Sequence, residues 1–433
     1  MGAPQRAVIG RRHVIYVEGW DPQGAEGYYR LFERSVKRFR ANWPLEARLG
    51  ELQLDSQAFA HWDIETSGPN WRVATRYDFL RQEHFIRANM AEPLRRQVPR
   101  ALHWIFDYLV TGAMARVVRG AWRFGFVLIY FQLMLIAWIW LAIGAGWLAG
   151  FVLERVADVP GSVALLVGVL AALAAFLALR PLADRLRVVQ INSHWPHLTK
   201  FARGEASCFD APIEAAAQRL VAVAHEADEI VVVGHSGGGV LAPAIVARAL
   251  ELDPDVGRRA ASVVMLTLGS IAPGAALHPK AVRLRAVTAR LAAEPSIVWV
   301  DCQSRADIMN FWDFDPVEGI GAHAGEARCN PWIWMLRFRD MLSPQLFRRL
   351  RFDFFRLHYQ FIMANDRRAR YDYFMLLTGP VPVTTWARRD YETMTAFAAD
   401  ATLAADRVPL FDAADTRTTD YRRPIVGSNL APS

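Results

Sequence analysis

Between Arg123 and Arg180 the chain carries two long uncharged runs, and few folds accommodate both. Phe124 to Leu153 is 30 residues without a charge, and Val159 to Leu179 adds 21 more, mostly Ala, Leu and Val. A bilayer core about 30 Å thick is crossed by roughly 20 apolar helical residues, so each run is long enough to span once. The intervening ERVADVPGS, with Pro160 and Gly161 near its end, reads as a turn. Two consecutive runs of this kind are rare in a soluble core, so residues 121–180 are expected to form a transmembrane helical hairpin. Arg116, Arg119 and Arg123 precede it and Arg180, Arg185 and Arg187 follow, whereas the turn holds only Glu154, Arg155 and Asp158. The positive-inside rule then predicts both termini in the cytoplasm, in a membrane of the bacterial inner type. The GxxxG pair Gly146 and Gly150 says little about helix pairing in so Gly- and Ala-rich a segment. Arg95, Arg96 and Arg100, set among apolar residues of 85–120, suit either a helix on the anionic leaflet or one packed on the protein body.

Composition narrows the rest. A chain of 433 residues that is 53% hydrophobic, with 15 Trp, is too apolar for disorder and long enough for a full core. The formal charge of +7 comes almost entirely from Arg, since the lysines are Lys37, Lys200 and Lys280. None precedes Ser or Thr, which excludes a Walker A loop. Beside a hairpin, the positive excess is expected to face the bilayer, and no nucleic-acid partner is expected. Cys208, Cys302 and Cys329 form no CxxC pair, which suits a reducing compartment, and residues 1–12 carry no signal-peptide pattern.

On either side of the hairpin the pattern is α/β. HVIYVEG (13–19) is a short apolar run, followed by the helical GYYRLFERSVKRFR. ELQLDSQAFAHWDIETS and NWRVATRYDF read as an antiparallel extension, and RVVQINS, EIVVVG, SVVMLTLGS and SIVWVDC as buried strands. With helical segments between several of them, the expectation is a doubly wound, mostly parallel sheet interrupted by the hairpin. The expected parts are residues 1–120 and 181–404 as the body, 121–180 as the hairpin, and 405–433 as a peripheral tail.

Gly234-His235-Ser236-Gly237-Gly238 follows EIVVV directly and opens a helical segment. This is G-x-S-x-G in the strand–turn–helix setting of a nucleophile elbow, where a sharp turn exposes the serine and leaves room only for small residues on either side. The backbone N–H of Gly237 would face a developing oxyanion. A serine nucleophile needs a base, and the base an orienting acid. His358 (FRLHYQFI) and His323 (GIGAHAGEA) lie downstream; His358 is preferred because aromatic neighbours can shield an imidazole, while His323 sits in a Gly/Ala loop. Asp307 lies just beyond the strand SIVWVDC and is preferred over Asp301, within that strand, and over Asp313 and Asp315, farther out.

In these stretches the chain resembles α/β-hydrolase lipases, closest in pattern to the class-three lipases. The resemblance covers EIVVVGHSGGGVLAPA, VVMLTLGSIAPG, SIVWVDCQSRADIMNF and His358, in that order. It implies an α/β-hydrolase fold with Ser236 as nucleophile, Asp307 as acid and His358 as base. It also implies Trp20, after Glu18-Gly19, as the second oxyanion donor; the family pattern has His-Gly where this chain has Glu18-Gly19. The hairpin has no counterpart in that pattern.

The expected function is thus a membrane-anchored serine esterase acting on a lipid or other acyl ester, with no cofactor and no metal. Acyl transfer, thioester hydrolysis and a non-catalytic scaffold on the same fold are the alternatives. Other motifs fail. His225-Glu226 lacks the second histidine of a metalloprotease helix. His194 and His197 read as structural, since Pro196 disfavours a helix and no ligand cluster adjoins them in sequence. Phe311, Trp312 and Phe314 suit either an acyl pocket or simple packing.

Overall fold

Strand β1 (Arg11–Val17) joins the two halves of the chain. It pairs in parallel with β5 (Trp71–Leu80), before the hairpin, and with β6 (Glu229–His235), after it. In the computed structural model, which describes residues 8–259 and 262–409, the body is therefore one sheet into which the hairpin is inserted. Beyond β6 lie β7 (Ser262–Leu268), β8 (Val298–Ser304) and β9 (Trp332–Leu336), all parallel. On the other side of β5 come β4 (Phe59–Gly68), β2 (Glu46–Leu49) and β3 (Gln53–Leu54), all antiparallel. The order is β2-β4-β5-β1-β6-β7-β8-β9, with β3 beside β4, an α/β architecture with a mixed, mostly parallel sheet.

Alternation along the central strands divides the core into two layers. Ile230 and Val232 face a layer with Leu241, Trp195 and Phe124, while Val231 and Val233 face one with Phe39, Phe374 and Tyr373. Strands covered on both faces read as unbroken apolar runs, which is why EIVVV was legible. The antiparallel β4 and β5 instead expose Asp63, Glu65, Arg72 and Ala74 in alternation.

The structure departs from the sequence expectation at three points. RVVQINS is not a strand; it begins the helix Val188–Arg203. Its β-branched residues bury against the first layer, and that packing outweighs their local preference. Pro196 lies inside this helix, contrary to the expectation that it would prevent one. β9 went unrecognised because WIWML is short and follows a Gly/Ala-rich loop.

Within 85–120, the helices Leu94–Val110 and Ala113–Gly120 pack Trp104, Ile105, Tyr108 and Val117 into the body. Phe106, Leu109 and Val110 stay exposed. The short turn Ala405–Arg407 is described, but the remainder of the expected tail, 410–433, lies outside the described residues.

The hairpin is formed by helices Trp122–Ala157 and Gly161–Ala178. Both are long and apolar enough to cross a membrane. The second exposes Leu165, Leu166, Val169 and Leu173, unlike a buried core helix. Small residues let the two backbones meet: a Cβ on Gly146 would collide with the Gly168 carbonyl oxygen, and one on Gly150 would lie 2.9 Å from that of Ala164. Trp138 stacks on Phe176 with ring centroids 4.5 Å apart.

Candidate active site

Ser236 stands between β6 and the helix Gly238–Leu252. Its φ of +57° is a left-handed conformation that non-glycine residues avoid, at a cost on the order of 1–3 kcal/mol. Backbone hydrogen bonds hold it there: Ser236 N–H donates to the Leu268 carbonyl at 3.0 Å, and the Ser236 carbonyl accepts from Gly239 at 3.1 Å. The turn is sterically closed. A Cβ on Gly234 would fall 2.6 Å from the Gly238 carbonyl oxygen, and one on Gly238 would collide with that of Val17.

Asp307 and His358, 51 positions apart, meet through His358 Nδ1 and Asp307 Oδ2 at 2.7 Å. Both are buried. The other carboxylate oxygen of Asp307 accepts from the Met309 N–H at 2.8 Å, and Asn310 Nδ2 donates to the Asp307 carbonyl at 2.6 Å, so the loop after β8 is braced from within. His358 ends the short helix Phe354–His358, and its Cε1 would contact a Cβ on Gly269 at 3.1 Å. Gly269 immediately follows Leu268, which accepts from Ser236, so His358 and the serine flank the same strand end. His358 Nε2 is buried and has no hydrogen-bond partner among the described residues. The Ser236 hydroxyl makes no hydrogen bond among them either; contacts of this kind often tighten only when a substrate is bound.

Ser236, His358, Gly19 and Trp20 line one cleft, open at its mouth. A Cβ on Gly19 would lie 3.3 Å from Gly237 N and 3.4 Å from Ser236 Oγ, so the Glu18–Asp21 loop adjoins the elbow. The Trp20 carbonyl accepts from Gln190 Nε2 at 2.8 Å, and its indole donates to Ser193 Oγ at 3.1 Å. The opposite wall is the base of the hairpin: Phe124, Val127, Leu128 and Phe131.

Electrostatics around the cleft favour neutral groups. Burial, and then Asp21 and Glu83, pushes the Glu18 carboxyl well above its usual range. Burial, and then the neighbouring His358, pushes His235 well below the usual histidine range, and its Nε2–H reaches the His358 carbonyl at 3.2 Å. Burial, then His197, lowers His194 to about 3.

The other candidates stand apart. His323 is exposed and lines no part of the cleft. Asp301 accepts from Thr267 Oγ1 at 2.5 Å and from Gln303 Nε2 at 2.8 Å, and burial raises it to about 6. Asp315 pairs with Arg328, and Asp313 is exposed. Phe311 and Phe314 pack in the core, while Trp312 lies beside Arg305. Sequence reading dismissed His194 and His197, yet both stack on Trp20, with centroids at 5.0 and 5.3 Å. Cys208 Sγ comes within 3.7 Å of His197 Nδ1, although nothing in the local sequence suggested it. Asp55, His61 and Asp78 cluster on and beside β4 and β5. Arg76 and Arg219 already pair with both carboxylates there, which removes the negative charge a cation would need.

No family model, curated protein or solved structure matches this chain.

Proposed function

We propose that this chain is a membrane-anchored serine esterase of the α/β-hydrolase kind, acting on a lipid-like ester. One observation carries the reading: the Asp307–His358 hydrogen bond shares a cleft with a serine held at positive φ in a strand–turn–helix elbow. Ser236 Oγ attacks the ester carbonyl and passes its proton to His358 Nε2, while Asp307 holds the imidazole through Nδ1. The N–H groups of Trp20 and Gly237 receive the developing oxyanion. The proton then passes to the leaving alcohol, and water attacks the acyl-enzyme by the same route in reverse.

The cleft wall supports the lipid assignment. The helix Trp122–Ala157 is about 54 Å long at 1.5 Å per residue, against a bilayer core of about 30 Å. Its first four turns, roughly, therefore remain outside the bilayer core, and they carry Phe124, Leu128 and Phe131 into the cleft. Phe106, Leu109, Val110 and Trp122 are exposed apolar residues of the kind that bind a membrane interface. The flanking arginines, by the positive-inside rule, support a body on the cytoplasmic side.

The test uses the full-length protein in detergent micelles with p-nitrophenyl acyl esters. Wild type hydrolyses them and Ser236→Ala does not, at equal expression and melting temperature. Equal rates in the two proteins would overturn the assignment.

A further inference from the structure

The helix Val188–Arg203, which returns the chain from the hairpin, does more than support the Trp20 loop. Gln190 and Ser193 fasten that loop, and His194, next along, reaches the cleft itself. A Cβ on Gly237 would lie 2.8 Å from His194 Cε1 and 3.1 Å from His194 Nε2. The nitrogen-bearing edge of the ring therefore sits over the residue whose N–H faces a carbonyl bound at Ser236. His194 is only 6% exposed and has no hydrogen-bond partner among the described residues. His197, one turn on, is engaged by Asn89 Nδ2 at 2.8 Å. His194 lines the cleft, so its ring is left to bond what occupies the cleft beside the elbow.

We propose that His194 is a further oxyanion donor, its Nε2–H hydrogen-bonding the substrate carbonyl oxygen as that oxygen becomes negative. The proposal rests on the serine-esterase reading. The Ser236 Oγ–carbon bond forms, the carbonyl π pair moves onto oxygen, and the hydroxyl proton goes to His358. When the intermediate collapses, the carbon–oxygen bond to the leaving group breaks and that proton leaves with the alcohol. His194 keeps its own proton throughout. Burial holds its ring neutral, with one nitrogen a donor. A neutral donor already in place strengthens its bond as charge develops, with little reorganisation. The position also explains why residue 237 is glycine: any side chain there would displace the imidazole.

A packing role and a donor role rank substitutions in opposite order. His194→Phe keeps a ring for the Trp20 stack and removes the N–H; His194→Gln loses the ring and keeps an N–H; His194→Ala loses both. With p-nitrophenyl butyrate and the full-length protein in micelles, the donor role predicts kcat falling about 10²–10³-fold in the Phe and Ala variants at nearly unchanged KM. The Gln variant recovers at least tenfold of that loss. If Phe is the most active of the three, His194 only packs on Trp20 and the proposal fails, while the esterase reading stands on Ser236→Ala. Should the Phe variant melt early, Gln against Ala decides: equal kcat overturns the donor role. If Ser236→Ala retains activity, both readings fail together.

Discussion

The two walls of the cleft are built by different physics. On the sheet side, Ser236, Gly237, Asp307 and His358 sit at strand ends or in short braced segments, where backbone stereochemistry leaves little choice. On the insertion side, Phe124, Leu128, Phe131 and His194 come from two helices whose positions depend on packing against the body. The first wall holds the candidate nucleophile, acid and base, while the second, His194 apart, shapes what the cleft admits.

The largest effect should arise on the sheet side. Asp307→Asn would leave His358 with the wrong tautomer and lower kcat by on the order of 10⁴-fold in ester hydrolysis. His323→Ala, in an exposed loop, should change it less than twofold. If these two were reversed, the division between the walls would be misplaced at its base.

Acid should act on both walls, because burial lowers His235 on the sheet side as well as His194 and His197 on the insertion side. Burial and then His197 lower His194 to about 3, while burial and then Arg100 and Lys200 lower His197 to about 4 against the opposing pull of Glu92. The unfolded chain binds protons near the ordinary histidine value, so it takes up more protons than the fold between about pH 6.5 and 4. Stability is fully present above that window and falls as the pH drops through it, by up to about 1.4 kcal/mol per unit for each group. Thermal melts in detergent from pH 7.5 to 4.5 should show this slope, reduced in His194→Phe. A slope that the variant leaves unchanged would place the acid-sensitive groups elsewhere.

A smaller effect concerns what the cleft admits. Phe131→Ala removes an aromatic ring from the wall. It should shift the preference between short and long acyl chains by about tenfold in kcat/KM, leaving kcat on the shortest ester nearly unchanged. An equal loss on every chain length would mean that the hairpin base holds the catalytic groups rather than the acyl chain.

The same division explains what was legible in the sequence. EIVVV, SVVML and IVWVD announced buried strands because both faces of the sheet are covered. Gly234-His235-Ser236-Gly237-Gly238 announced the turn because only small residues fit it. Asp307 and His358, which the structure brings together, could be picked out from chain order because the one follows a strand end and the other sits among aromatics. By contrast, Val188, Val189 and Ile191 look like a strand locally, and only their tertiary contacts make them helical. The stacking of His194 on Trp20 joins residues 174 positions apart, and no local spacing records it. The fit of Gly146 to Gly168 is likewise visible only once both helices stand side by side.

The most direct test of a catalytic serine is covalent. Full-length protein in native-like membranes is treated with a fluorophosphonate probe, and the modified peptide is identified by mass spectrometry. The account predicts a single adduct on Ser236, absent in Ser236→Ala and slowed by orders of magnitude in His358→Ala. No adduct in folded wild-type protein, or an adduct that persists in Ser236→Ala, would contradict it.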